Sequence, residues 1–180
     1  MRAAAEHLTP VVLELGGKSP VVIDSTADVE LAAKRIAWGK TLNAGQTCIA
    51  PDYLLVHRAV KSRFVEAFGR AVRKLHGDDA SKSKHYVRMV SDAAFKRVKA
   101  YIADGDVLFG GRTKAEDRYI EPTLLDNVQP DSAVMRDEIF DNPIPPEKVW
   151  LLRLKPQPLS LYFKSKKSPL CISTTSILEH

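Results

Sequence analysis

Asn43-Ala44-Gly45-Gln46-Thr47-Cys48-Ile49-Ala50-Pro51-Asp52-Tyr53 sets a cysteine in a loop punctuated by Gly, Thr and Pro, between a helix-like run and a strand-like run. Upstream, Leu13-Glu14-Leu15-Gly16-Gly17-Lys18 offers one carboxylate beside two glycines. A nucleophile and a base are the minimum for covalent catalysis on a carbonyl. Both stretches stand at the entry or exit of a predicted strand, so the order of elements around them decides the fold.

Before the loop, Val29, Ala32, Ala33, Ile36 and Ala37 recur at helical spacing and predict an amphipathic helix to about Lys40, with Asp24-Ser25-Thr26 supplying turn and capping oxygens. After it, Tyr53-Leu54-Leu55-Val56 predicts a strand. Val60, Phe64, Phe68, Val72 and Leu75 then form one face of a helix that stops at Gly77. Residues 78–88 read as a polar loop with a short helical turn. Ser91 opens a further helix through Phe95, Val98, Tyr101 and Ile102, closed by Gly105. Val107-Leu108-Phe109, Tyr119-Ile120 and Thr123-Leu124-Leu125 are strand candidates. Nearer the start, residues 2–8 end an Ala-rich helix at Thr9-Pro10, and two continuously apolar strands follow, at Val11-Val12-Leu13 and residues 20–23. Continuous apolar strands imply burial on both faces, and strand–helix alternation implies an α/β sheet. After Phe140 the pattern fades into Pro143, Pro145, Pro146, Pro156, Pro158 and Pro169. Residues 158–163 make one edge-strand candidate, and residues 165–180 read as disordered or loosely docked.

Cysteine attacks as the thiolate, so a working nucleophile needs access and a lowered pKa. Gly45 lets backbone approach a ligand, and Thr47 keeps the surroundings of Cys48 partly polar. Backbone N–H groups of the loop, that of Cys48 included, can steady a carbonyl oxygen turning negative. The competing reading of Cys48 is a buried structural cysteine. Glu14 ends a predicted buried strand, where a carboxylate serves as a base or faces a cleft; the competing reading is a surface strand-end Glu. Glu138, in Asp137-Glu138-Ile139-Phe140, is one acid beside an aromatic. Gly16-Gly17-Lys18 lacks the spacing of a phosphate-binding loop and reads as a tight turn.

The 180 residues suffice for one well-buried domain or a domain with fragments of a second. A hydrophobic fraction of 44% and a charged fraction of 27% are those of an ordinary globular protein. The net charge of +5 owes much to Lys148, Arg153, Lys155, Lys164, Lys166 and Lys167. Without interleaved aromatic platforms these read as solvated charge, so nucleic acid is not an expected partner. Two cysteines, Cys48 and Cys171, are too few for a disulfide scaffold, and no Cys/His spacing suggests a metal. Reduced cysteines, no apolar run of membrane-spanning length and no signal-peptide stretch together lead to a cytoplasmic expectation.

Taken together the segments resemble the aldehyde dehydrogenase superfamily. Leu13-Glu14-Leu15-Gly16-Gly17-Lys18-Ser19-Pro20 is similar to its glutamate motif, and Gly45-Gln46-Thr47-Cys48 to its cysteine motif. The offset of 34 positions from Glu14 to Cys48 suits the family, and Glu138-Ile139-Phe140 resembles its third block. Thr47-Cys48-Ile49-Ala50-Pro51-Asp52-Tyr53, with His7-Leu8-Thr9-Pro10 upstream, is most similar to the class 3 and fatty-aldehyde branch. The resemblance implies that Cys48 attacks the aldehyde to give a thiohemiacetal, whose oxyanion meets the Cys48 backbone N–H. Hydride then passes to NAD or NADP, and Glu14 activates the water that releases the acid. It further implies that Glu138 bonds the nicotinamide ribose, that Phe140 packs beside the ring, and that the Leu15 carbonyl meets the carboxamide.

The fold implied is a three-layer, parallel-sheet α/β catalytic domain with a remnant of a Rossmann-like cofactor domain. Residues 1–18 are expected to be the remnant helix and strand, residues 19–140 the catalytic domain, and residues 141–180 a divergent tail. The family's adenosine-ribose Lys, its oxyanion-hole Asn and its pyrophosphate turn are expected ahead of residue 1. Phe140-Asp141-Asn142-Pro143 departs from the family's Gly-Pro continuation. The chain therefore reads as a partial one of little expected turnover. A small-molecule aldehyde is the expected partner, with a homodimer for an intact family member. The alternative is a non-catalytic fragment that associates with a full-length subunit through open sheet edges.

Overall fold

The computed structural model describes residues 1–13, 16–136, 139 and 152–154, the last three by main chain alone. A short helix, α1 (Arg2–Glu6), precedes β1 (Pro20–Ile23), α2 (Val29–Thr41) and β2 (Tyr53–Val56). Then come α3 (Lys61–His76), α4 (Asp92–Tyr101), β3 (Asp106–Phe109), β4 (Thr113–Lys114), β5 (Tyr119–Ile120), β6 (Leu124–Asp126), α5 (Ala133–Arg136) and β7 (Leu152–Leu154). A sheet of order β1-β2-β7-β6-β3 carries the fold, and β4 and β5 form a separate hairpin.

β1 and β2 run parallel with Pro20 opposite Tyr53 and Ile23 opposite Val56. Parallel neighbours need a long crossover, which α2 provides. Its start is set by Asp28, whose carboxylate accepts the Leu31 N–H at 3.0 Å. The sequence places capping oxygens at Asp24-Ser25-Thr26. Asp24 instead closes the strand-to-helix turn, accepting from both the Thr26 N–H and hydroxyl at 2.9 Å. Ser91 caps α4 as expected, through the Ala94 N–H at 3.2 Å.

The core lies on both faces of the sheet. Leu54, Val56 and Leu124 meet Ala33, Phe64 and Phe68 on the side covered by α2 and α3. Leu125, one residue further along β6, packs on the opposite side with Val128, Val134 and Ile139, where Tyr101 of α4 joins it. That switch of side is the two-residue period of a strand. Helical material on both faces gives the three-layer α/β architecture that the alternating pattern predicts.

Four expectations need correction. The sheet is mixed, because β3 pairs antiparallel with β6 at its edge; the turn at Gly110-Gly111 and the β4–β5 hairpin return the chain directly, with no crossover helix. β1 runs from an exposed Pro20 through half-buried Val21 and Val22 to a buried Ile23 instead of being sealed on both faces. Val11, Val12 and Leu13 form no strand among the described residues and are 44%, 99% and 50% exposed. An apolar run becomes a strand only beside a ladder partner, and none of the described strands lies next to it. Finally, β7 pairs in parallel with both β2 and β6 although the sequence marks no strand there. Arg153 interrupts its apolar character and the segment is only three residues long. The edge strand expected at residues 158–163 lies outside the described residues.

Candidate active site

The cysteine loop stands at the amino end of β2. α2 ends at Thr41 and the chain turns sharply through Asn43, Ala44 and Gly45, which all have left-handed backbone angles (φ 51°, 51° and 75°). Asn tolerates this region and Gly is free there, but Ala44 carries a cost of about 1 kcal/mol. The surroundings hold it in place. Asn43 and Gln46 each donate from the side-chain amide to the other's carbonyl at 3.0 Å. The Gln46 amide also donates to the Arg88 carbonyl at 3.3 Å, and its oxygen accepts the Val90 N–H at 3.2 Å. Ala44 itself is buried in the cluster of Tyr86, Phe95 and Tyr119.

Beyond Gln46 the chain turns again, the Ala50 N–H donating to the Thr47 carbonyl at 3.1 Å. Cys48 is left as an exposed free thiol. The Thr47 hydroxyl is enclosed and finds no hydrogen-bond partner among the described residues. Where the loop enters β2 it meets the stretch that leads into β1. The Asp52 N–H donates to the Ser19 carbonyl at 2.9 Å, the Ser19 N–H donates to the Asp52 carboxylate at 3.3 Å, and the Ser19 hydroxyl donates to the Cys48 carbonyl at 3.4 Å. The other Asp52 oxygen lies 3.9 Å from the Lys40 ammonium, and both side chains are buried.

Two long side chains hold main-chain carbonyls within and just after α5. Lys18 donates to the Val134 carbonyl at 3.0 Å, and Arg97 of α4 donates to the Ile139 carbonyl at 3.0 Å. Residues of the glutamate motif thus touch the cysteine loop through Ser19 and the approach to the third block through Lys18. This convergence sits at the amino ends of β1 and β2, whereas open α/β sheets usually bind ligands beyond the carboxyl ends.

Of the residues singled out in the sequence, Cys48 stands exposed at the end of its loop, as a nucleophile requires and a buried structural cysteine would not. Glu14, Leu15, Glu138 and Phe140 lie outside the described residues. Lys40, Gln46 and Asp52 were legible only in part. Lys40 falls on the same helical stripe as Ala33, Ile36 and Ala37, and a cation on an apolar stripe calls for a buried partner. Among the described residues no three His, Cys, Asp or Glu side chains are grouped to hold a metal, and no helix is long and apolar enough to cross a membrane.

A layered α/β sheet with an exposed cysteine at the amino ends of its strands defines the class. Residues 1–144 match the aldehyde dehydrogenase family, and the chain belongs to it. It is 44% identical over 175 residues to the 4,4'-diaponeurosporen-aldehyde dehydrogenase of Staphylococcus aureus, covering 92% of this chain and 38% of that protein. Identity is 44% over 170 residues to the dimeric NADP-preferring aldehyde dehydrogenase of Rattus norvegicus (90% and 37% covered). It is 42% over 178 residues to aldehyde dehydrogenase family 3 member A2 of the same organism (94% and 37% covered). The class 3 likeness of the motifs and these relatives agree. The chain spans little more than a third of the length of these curated relatives.

Among solved structures, substrate-bound AldH of Staphylococcus aureus superposes with a TM-score of 0.80 at 40% identity, over 91% of this chain and 34% of that one. The AldA indole-3-acetaldehyde dehydrogenase of P. syringae, a mutant in complex with NAD+, superposes with a TM-score of 0.67 at 25% identity, over 87% and 33%.

Proposed function

We propose that the chain carries the nucleophile and base of an NAD(P)-dependent aldehyde oxidation, with Cys48 as nucleophile and Glu14 as base. The observation that carries this reading is the joining of the glutamate motif to the cysteine loop: Ser19 bonds the Cys48 carbonyl, while Lys18, one residue earlier, reaches the Val134 carbonyl. Residues 19–140 are the catalytic domain in this reading, and residues 1–18 lead into it from the cofactor side.

The Cys48 thiolate adds to the aldehyde carbon, and the Cys48 N–H receives the oxyanion of the thiohemiacetal. A nicotinamide dinucleotide, when bound, supplies the hydride acceptor that leaves a thioester. Glu14 then takes a proton from water, and the resulting attack releases the carboxylic acid and restores the thiol. Glu138, Phe140 and the Leu15 carbonyl would hold the nicotinamide end. Arg97 holds the Ile139 carbonyl and Lys18 the Val134 carbonyl, which supports this reading. The substrate is a small-molecule aldehyde.

The nucleophile can be tested without the cofactor. With p-nitrophenyl acetate, Sγ displaces nitrophenolate to give an acetyl thioester, which water then hydrolyses. The full 180-residue chain should release nitrophenolate, and Cys48→Ser should not; equal rates would end the assignment of Cys48.

A further inference from the structure

We infer that the buried Lys40–Asp52 pair is a positioning device for the Cys48 nucleophile, acting through Ser19. The inference rests on the role of Cys48 proposed above. A buried ion pair is a poor source of stability, because desolvation offsets its attraction and an apolar pair of similar volume does as well. This pair lies under the loop whose geometry the chemistry needs. One Asp52 oxygen faces the Lys40 ammonium at 3.9 Å, and the other receives the Ser19 N–H at 3.3 Å. The Asp52 N–H returns to the Ser19 carbonyl at 2.9 Å, so Ser19 is gripped on both sides. Its hydroxyl then donates to the Cys48 carbonyl.

Lys40 braces the loop a second time. A Cβ added to Gly45 would stand 3.4–3.6 Å from the Lys40 carbonyl, Cε and Nζ, so the Lys40 side chain packs directly beneath the left-handed turn. Cys48 is therefore held from three residues before it, from four residues after it and at its own carbonyl. Fixing that carbonyl fixes the Cys48–Ile49 peptide plane, and so restrains the Cα from which Sγ and the N–H both project. Acyl transfer needs the two in register around one carbonyl carbon; displacement of iodide from iodoacetamide needs only the thiolate.

The test separates those two reactions in the full chain. Asp52→Asn and Ser19→Ala should each lower kcat for p-nitrophenyl acetate by about 10- to 100-fold. KM and the rate of Cys48 alkylation by iodoacetamide should stay at the parental values. Acyl transfer at the parental rate in both variants would overturn the proposal, as would acyl transfer and alkylation falling in parallel. Ser19→Ala removes one partly exposed hydroxyl and leaves the ion pair intact, so it reads positioning even where Asp52→Asn or Lys40→Met fails to fold. Failure of the Cys48 assignment itself shows up separately, as a Cys48→Ser chain that still releases nitrophenolate.

Discussion

Gln46 and Val90 meet across 44 residues of chain: the Gln46 side-chain oxygen accepts the Val90 N–H, while its nitrogen serves the Asn43 and Arg88 carbonyls. One buried amide thereby ties the cysteine loop to the segment beneath α4. The strained Ala44 is tolerated because its neighbour Gln46 is anchored this way. The loop is shaped by the domain and not by its own sequence.

Replacing Gln46 by Leu roughly keeps the volume but strands the Val90 N–H and the Arg88 carbonyl, while the Asn43 carbonyl still accepts the Gln46 N–H. Each buried group left unpaired costs about 1–3 kcal/mol, so the urea midpoint should fall clearly. Ester turnover at Cys48 should fall further than stability alone explains, because the loop relaxes around a chain that stays folded. Measuring both at a temperature well below the transition decides the matter: unchanged turnover in a folded Gln46→Leu chain would show that the loop does not need this anchor.

Gly110 and Gly77 both have positive φ (77° and 81°), yet they differ in surroundings. A Cβ on Gly110 would lie 2.0 Å from the Pro122 carbonyl oxygen, while one on Gly77 meets nothing within 4 Å. Gly77, at ψ 178°, lies in a region essentially reserved for glycine, so Gly77→Ala should cost about 1–3 kcal/mol of backbone strain with no clash. Gly110→Ala must also push β3 from β6, and should cost more than about 3 kcal/mol. Comparable melting temperatures for the two variants would refute this account of the β3–β6 edge.

Much of the fold could be read from the chain before any coordinates. Ala33, Ile36, Ala37 and the Phe64–Phe68 pair announce their helices by spacing, and Tyr53-Leu54-Leu55-Val56 announces its strand by composition. What could not be read depends on partners distant in sequence. Val11-Val12-Leu13 has the composition of a strand but no ladder neighbour among the described residues. β3 is antiparallel because of how a turn closes, which no hydrophobic period records. At the site, Cys48 stands out as a residue type in a motif. Lys40, Ser19 and Asp52 matter through bonds made between segments, and a sequence offers for them only the oddity of a charge on an apolar stripe.

Phe68 links α3 to the sheet edge. It is fully buried, tilts against Phe64 at 6.1 Å and meets the Phe109 ring of β3 edge-on at 5.7 Å. Truncation to Ala should cost about 3–5 kcal/mol, much of the stability of a domain this size, and Phe68→Leu distinctly less. Urea titration of the two variants checks the order; a Leu variant as unstable as the Ala variant would mean that the edge-on ring contact, and not buried volume, dominates.

His76 ends α3, where the helix dipole favours a positive charge. Burial wins instead, and with a smaller contribution from His85 it holds the imidazole below its ordinary value of 6.5. The ring packs on Tyr86 at 5.1 Å, and neither nitrogen has a hydrogen-bond partner among the described residues. Because the folded state binds this proton less readily than the unfolded chain, the neutral ring's contribution is whole above about pH 6.5. It is lost progressively as the pH falls from there toward the lowered folded value. The urea midpoint of the parent should therefore decline between pH 7.5 and pH 5.5 more steeply than that of His76→Phe, which fills the same space without titrating. Parallel declines would assign the acid sensitivity to other groups.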